Sequence, residues 1–318
     1  MSQDIRIGKT IDASIKFTMG NAWSLIRVGW LPFALTIGIT SFLAWHFWQP
    51  LILAYMEFLS AYADVATDQA ALERLMESFT RDVENAIEGI GFANFLLGYA
   101  GILIIGTAGA AIVMTAYIRM MALGETPGGI AYFRFGAREI NVAATYLLVV
   151  ILAAITVIAV SFVTTLVLVV PFAGSEGAGT AIAVLGVLAS MIISLVLFFW
   201  VFARLLIAVP ASAIHGGVPI MQSWRATKGL GGRITGIILL GYLILFAISM
   251  IVMMILGMAT QLIDSALVSM GSQLAPYFSG TLWGVGYIAV ACLTNAFFVG
   301  LFTSVFMGLD QGEGTASS

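Results

Sequence analysis

The residues able to do acid–base or metal chemistry are few and scattered. The 318-residue chain has two histidines, His46 and His215, and a single cysteine, Cys292. His46 lies between Trp45 and Trp48, the setting of a histidine at a membrane interface. His215 sits in a basic stretch with no carboxylate beside it in sequence, so it lacks the partner a general base needs. One cysteine inside an apolar run excludes an intrachain disulfide, a Cys-based zinc site and an iron–sulfur cluster. There is no P-loop and no GxSxG, and the glycines within residues 229–232 lack the strand that a dinucleotide site requires. The sequence therefore predicts no catalytic residue, no metal site and no cofactor, and the chain reads as a non-enzyme.

The elements that would have to position any such group are membrane spans. With 61% hydrophobic and 9% charged residues, the composition lies far from that of soluble domains, where about a quarter of residues are charged. Six apolar stretches, near residues 28–48, 92–118, 142–171, 180–203, 234–262 and 281–308, are long enough for helices to cross a hydrocarbon core of about 30 Å. Continuous apolar runs of this length exclude a membrane β-barrel, whose strands are shorter and alternate in polarity. No removable signal peptide is expected in the first 20 residues, which carry Asp4, Arg6, Lys9, Asp12 and Lys16.

Charge sorts by side. Residues 1–27, 119–141 and 204–233 hold 11 of the 13 Lys and Arg, and the opposite loops hold 10 of the 16 Asp and Glu. Short basic loops stay inside, so both termini are expected in the cytoplasm of a bacterial inner-membrane protein. The stretch Ala203–Arg233 contains Arg204, Arg225, Lys228 and Arg233 and no acidic residue. Gly216-Gly217 predicts a turn. A short helix from Pro219 to Lys228, ended by Gly229, would place Ile220, Trp224 and Thr227 on one face and lie flat at headgroup level.

Residues 49–91 form an acidic insertion on the outer side. From Asp68, a predicted N-cap, the apolar positions Leu72, Leu75, Met76, Phe79, Val83, Ala86 and Ile87 recur at helical spacing. That stripe either caps the chain's own helices or meets a partner. An internal repeat aligns Ser14 to Gly20 with Ser223 to Gly229, places Phe133-Arg134 equivalently, and aligns Arg119 with Arg204 at the ends of the second and fourth spans, while the sixth span departs with Ser304 at that place. The expected fold class is an all-α polytopic membrane bundle of six transmembrane helices, built as three repeated helical hairpins with interfacial amphipathic helices. Residues 1–27 form a cytoplasmic amphipathic segment, 28–308 the six-span domain with its insertion at 49–91, and 309–318 a disordered cytoplasmic tail. Gly98, Gly101, Gly106 and Gly109, with Gly280 and Gly284, are candidates for close helix contacts.

Arg204, Pro210, Ser223-Trp224-Arg225, Thr227-Lys228-Gly229 and the six-span layout resemble the membrane-domain family named after glycerophosphoryl diester phosphodiesterase. The acidic residue usual after that proline is replaced here by His215-Gly216-Gly217. The resemblance implies a membrane module and not the phosphodiesterase reaction.

No ionisable residue lies near a span centre, which disfavours an ion- or proton-coupled relay. Arg119, Arg204 and Arg233 fall at inner ends, where snorkelling is easy, and Asn295 is expected to make an interhelical polar contact. Five cations, Lys16, Arg134, Arg225, Lys228 and Arg233, are the candidate lipid-headgroup-binding residues, with Ile15, Phe133 and Trp224 as interfacial anchors. The function expected is that of a structural or accessory module contacting anionic membrane lipid and a membrane protein partner or a second copy. The alternative is a permease for a neutral or zwitterionic small molecule. Nucleic acid is not among the expected partners.

Overall fold

A computed structural model describes residues 7–65, 68–125, 128, 132–172, 178–270 and 275–314. Among these, every regular element is helical. The helices are α1 (Ile7–Gly20), α2 (Ala22–Val65), α3 (Gln69–Ile90), α4 (Phe92–Leu123), α5 (Ala137–Leu168), α6 (Ala178–Leu206), α7 (Ala208–His215), α8 (Ile220–Ala226), α9 (Gly231–Ser269) and α10 (Ala275–Gly314), with one 3-10 turn at Val170–Phe172. Six helical segments are long and apolar enough to span a membrane. The chain is an all-α, multi-pass membrane protein.

It divides into two compact units, residues 33–109 and the remainder. In the smaller unit, Gly98 is apposed to Phe47, Gly101 to Leu43 and Gly109 to Thr36, so small residues let α2 and α4 approach. Gly106 faces open space, as do Gly280 and Gly284 elsewhere, and those three do not serve the close packing expected of them. Helix α2 does not stop near residue 48. It kinks at Trp48 (φ −125°, ψ 20°) and runs on to Val65. Pro50 accounts for the kink, because its ring clashes with the carbonyl of residue 46 and it has no N–H to donate. Asp68 caps α3 by accepting from the backbone N–H groups of Ala70 and Ala71 at 3.0 and 3.1 Å. Phe79 of α3 packs on Phe58 of α2, ring centroids 4.5 Å apart, so part of the apolar stripe is spent within the unit.

In the larger unit, full burial concentrates where the spans meet the loops 124–136 and 216–230. Leu25, Val113, Tyr117, Val142, Ile207, Ile234, Ile237 and Leu301 are all inaccessible there. The Tyr117 hydroxyl donates to the Leu25 carbonyl at 2.8 Å, and Gly29 leaves room for that ring. Away from this end, α5 and α6 form one hairpin and α9 and α10 another. Hydroxyl pairs Ser161–Ser194 (2.9 Å) and Thr164–Ser190 link the first. Gly286 against Leu256 and Gly241 against Leu301 close the second. Outward side chains such as Ile158, Phe162, Met191 and Leu262 are exposed, as expected of surfaces that meet lipid.

Three expectations are corrected here. Among the described residues before α5, Phe133 and Arg134 are not in an interfacial helix: Tyr132–Gly136 is irregular and enters α5 directly. Residues 309–314, expected in a disordered tail, continue α10. The fourth span, expected near residues 180–203, runs on as α6 to Leu206, and α7 follows with Ala208, Val209, Pro210, Ser212 and Ala213 buried. The Ser212 hydroxyl donates to the Gly217 carbonyl at 2.7 Å and closes the turn in which Gly216 and Gly217 take φ of 81° and 72°, a region open to glycine.

Candidate functional site

The loop-side end is assembled from α1, α7, α8, the first turns of α5 and α9, and the last turns of α4, α6 and α10. Helix α1 lies on α10 with Thr10, Ser14 and Thr18 buried, and a Cβ on Gly300 would come within 3.2 Å of Ser14. Helix α8 lies on α6 with Ser223 and Thr227 buried. The Ser223 hydroxyl donates to the Arg204 carbonyl at 2.8 Å.

Arg204 organises this second contact. It is only 7% exposed, and its Nη2 donates to the Trp224 carbonyl at 2.8 Å while Nε donates to Thr227 Oγ1 at 3.1 Å. Its guanidinium carbon stands 3.7 Å from the Trp224 ring centre and 5.0 Å from that of Trp200. Arg204 is therefore desolvated and does not snorkel, and Trp224, expected as a headgroup anchor, is half-buried, its ring stacked on the arginine and packed on the cluster of Val149, Leu205, Ala208 and Ile220. A stacked guanidinium keeps its charge under partial desolvation because the ring face and two acceptors replace water. At the aligned place on α10 stands Ser304, and there the Thr18, Thr303 and Ser304 hydroxyls are buried without a hydrogen bond among the described residues.

The other anchors, Ile15 and Phe133, are exposed. Trp23, 77% exposed at the start of α2, is a further aromatic at a span end, the usual signal of an interfacial position. Asn295 is also corrected. Its Oδ1 is buried with no hydrogen bond among the described residues, and interhelical polar contacts are made instead by the serine and threonine pairs, including Ser249–Thr294 at 3.5 Å.

All five candidate cations are exposed, but they do not form one cluster. Lys16 pairs with Asp12 at 2.7 Å, which offsets its charge. Arg225 lines a cavity of about 480 Å³ with His215, Gln222, Phe306 and Asp310. Asp310 of α10 thus lines the same cavity as His215. Arg134 lines a second cavity, about 550 Å³, with Arg119, Glu125, Tyr132, Arg138 and Glu139. There Arg119 is held by Glu125 through Nε at 2.7 Å and through Nη2.

Glu139 is buried in the first turn of α5 and shapes that second cavity. Its Oε2 accepts from the Gly136 N–H at 2.9 Å and its Oε1 from the Tyr132 hydroxyl at 3.1 Å, tying the irregular segment to the helix start. Burial, then the Glu139 charge and hydrogen bond, pushes the Tyr132 phenol up to about 12 against a small opposite pull from Arg134 and Arg119. A raised folded value means the stabilisation is fully present below pH 10 and is lost as pH rises through about 12. In Glu139→Gln the Tyr132 titration should move part of the way back toward 10, read as the ultraviolet difference from Tyr132→Phe. An unchanged titration would remove Glu139 as a cause.

Among the described residues no three His, Cys, Asp or Glu side chains converge as a metal site would require. Fold and site together define a multi-pass, all-helical membrane protein with a packed, partly cationic loop-side end. Comparison with family models, curated proteins and solved structures gives no match to this chain.

Proposed function

We propose that the chain is a non-enzymatic accessory module of the bacterial inner membrane that holds anionic lipid at its loop-side end and a membrane protein partner, or a second copy, along its exposed spans. In this reading both termini and residues 204–233 are cytoplasmic and residues 49–91 lie outside, as the charge distribution argues. The three hairpins descend from one repeated unit. The burial of Ser14 and Thr18 in α1, at the positions aligned with Ser223 and Thr227 in α8, supports that descent. The kinship with the phosphodiesterase-associated membrane domains remains part of the same proposal.

The observation that carries the reading is the filled core beneath exposed cations. Tyr117, Ile207, Ile237 and Leu301 occupy the loop-side interior that a permease would need open, while Arg134, Arg225 and Lys228 are exposed. Each cation near an anionic surface contributes about 1 kcal/mol. The triple variant Arg134→Gln, Arg225→Gln, Lys228→Gln should lose most co-purifying phosphatidylglycerol, counted by lipid mass spectrometry, with its topology intact. Unchanged lipid content in a correctly inserted variant would leave the cations with no role beyond insertion.

A further inference from the structure

The cavity between α7, α8 and α10 carries both signs of charge. Arg225 and Asp310 line the same space, about 480 Å³, yet no ion pair joins them, unlike Lys16–Asp12, Arg81–Glu77 and Arg119–Glu125 elsewhere. Gln222 adds an amide able to donate and accept, and the His215 ring stands on one wall beside Phe306, centroids 5.9 Å apart. Ile207, Ala211 and Leu309 supply an apolar wall. Two opposite charges that share a cavity without pairing are suited to a molecule that brings both counter-charges at once, because it satisfies each without discharging one against the other. The volume falls in the range of small-molecule sites, about 300–1,000 Å³.

We propose that this cavity binds a phosphate–ammonium zwitterion of the phosphoethanolamine type. Its phosphate sits on Arg225 and Gln222, and its primary ammonium on Asp310. A guanidinium matches two phosphate oxygens, and a carboxylate accepts from an N–H donor. A trimethylammonium has no N–H, so phosphocholine loses the contact to Asp310 while keeping that to Arg225. The ligand is either the headgroup of an aminophospholipid or the free zwitterion. The proposal rests on the reading of the loop-side end as lipid-contacting but depends on Asp310, which the anionic-lipid reading does not use.

The test has two arms on the full chain. In nanodiscs of phosphatidylethanolamine, phosphatidylcholine and phosphatidylglycerol, native mass spectrometry counts the lipid retained on release. In detergent, calorimetry measures phosphoethanolamine against phosphocholine. Loss of one charge-assisted hydrogen bond corresponds to about a tenfold change. The wild type should prefer the primary amine by about that factor in at least one arm. Asp310→Asn should abolish the preference without lowering phosphatidylglycerol retention, whereas Arg225→Gln should weaken both zwitterions. Selectivity in the nanodisc arm identifies the lipid, and selectivity in the calorimetric arm alone identifies the free solute. Asp310 is exposed, so the fold does not depend on it, and an unchanged melting temperature checks this. If wild type and Asp310→Asn show the same amine preference in both arms, the proposal is wrong, even where the triple variant still loses anionic lipid.

Discussion

Arg204→Ala should destabilise the protein by about 3 kcal/mol, the combined effect of losing a desolvated cation–π stack and two charge-assisted hydrogen bonds. The substitution leaves the Trp224 carbonyl without this donor and opens a space between the Trp200 and Trp224 rings, which meet edge-on with centroids 5.7 Å apart. Helix α8 should then loosen from α6. Arg204→Lys should recover little of the loss, since a point charge on a flexible stem reproduces neither the planar stack nor the fork that reaches Trp224 and Thr227 together. Unfolding in mixed micelles of rising sodium dodecyl sulfate fraction measures the effect. Coupling between Arg204→Ala and Trp224→Leu in a double-mutant cycle assigns it to the stack. Additive effects, or a full rescue by lysine, would mean that the arginine acts as an ordinary surface charge.

The second large effect is expected at Gly186, where α6 crosses the end of α5. A Cβ there would lie 2.4 Å from the Leu168 carbonyl oxygen and 3.0 Å from its carbon. Both atoms are backbone, so no rotamer change relieves the clash and the helices must part. Overpacking of this kind costs about 1–3 kcal/mol. Parting should also break the Thr164–Ser190 hydroxyl contact, one turn from Gly186 on the same face of α6. Gly236→Ala and Gly257→Ala are the controls, because no atom lies within 4 Å of either Cβ position. These should be neutral or gain up to about 1 kcal/mol from helix propensity. If Gly186→Ala melts at the temperature of the controls, the α5–α6 crossing is not as close as described.

Much of the fold could be read from local chemistry. Apolar length gives the spans, Asp68 gives the start of α3, and Gly216, Gly217 and Gly229, all at positive φ, give the turns around α8. Each of these depends on neighbours in sequence. What escaped depends on distant partners. The positive-inside rule treats every arginine as a solvated charge, and so it placed Arg204 in water and Trp224 at the headgroups. Trp200, four residues before Arg204 and therefore on the same helical face, was the available hint. Asp310 reaches the His215 cavity across 95 positions of sequence, a relation that no motif encodes. The α10 extension to Gly314 and the α2 extension past Trp48 escaped for another reason: span length was judged by apolar content, and helices do not stop where lipid does.

Sidedness labelling tests most directly the proposed orientation, in which the packed, cationic end faces the cytoplasmic leaflet. In a Cys292→Ser background, Glu73→Cys and Lys228→Cys are exposed positions for a membrane-impermeant maleimide. Glu73→Cys should react in right-side-out vesicles and Lys228→Cys only in inverted ones. Labelling of Glu73→Cys from the cytoplasmic side alone, or of Lys228→Cys from the outside, would contradict the account.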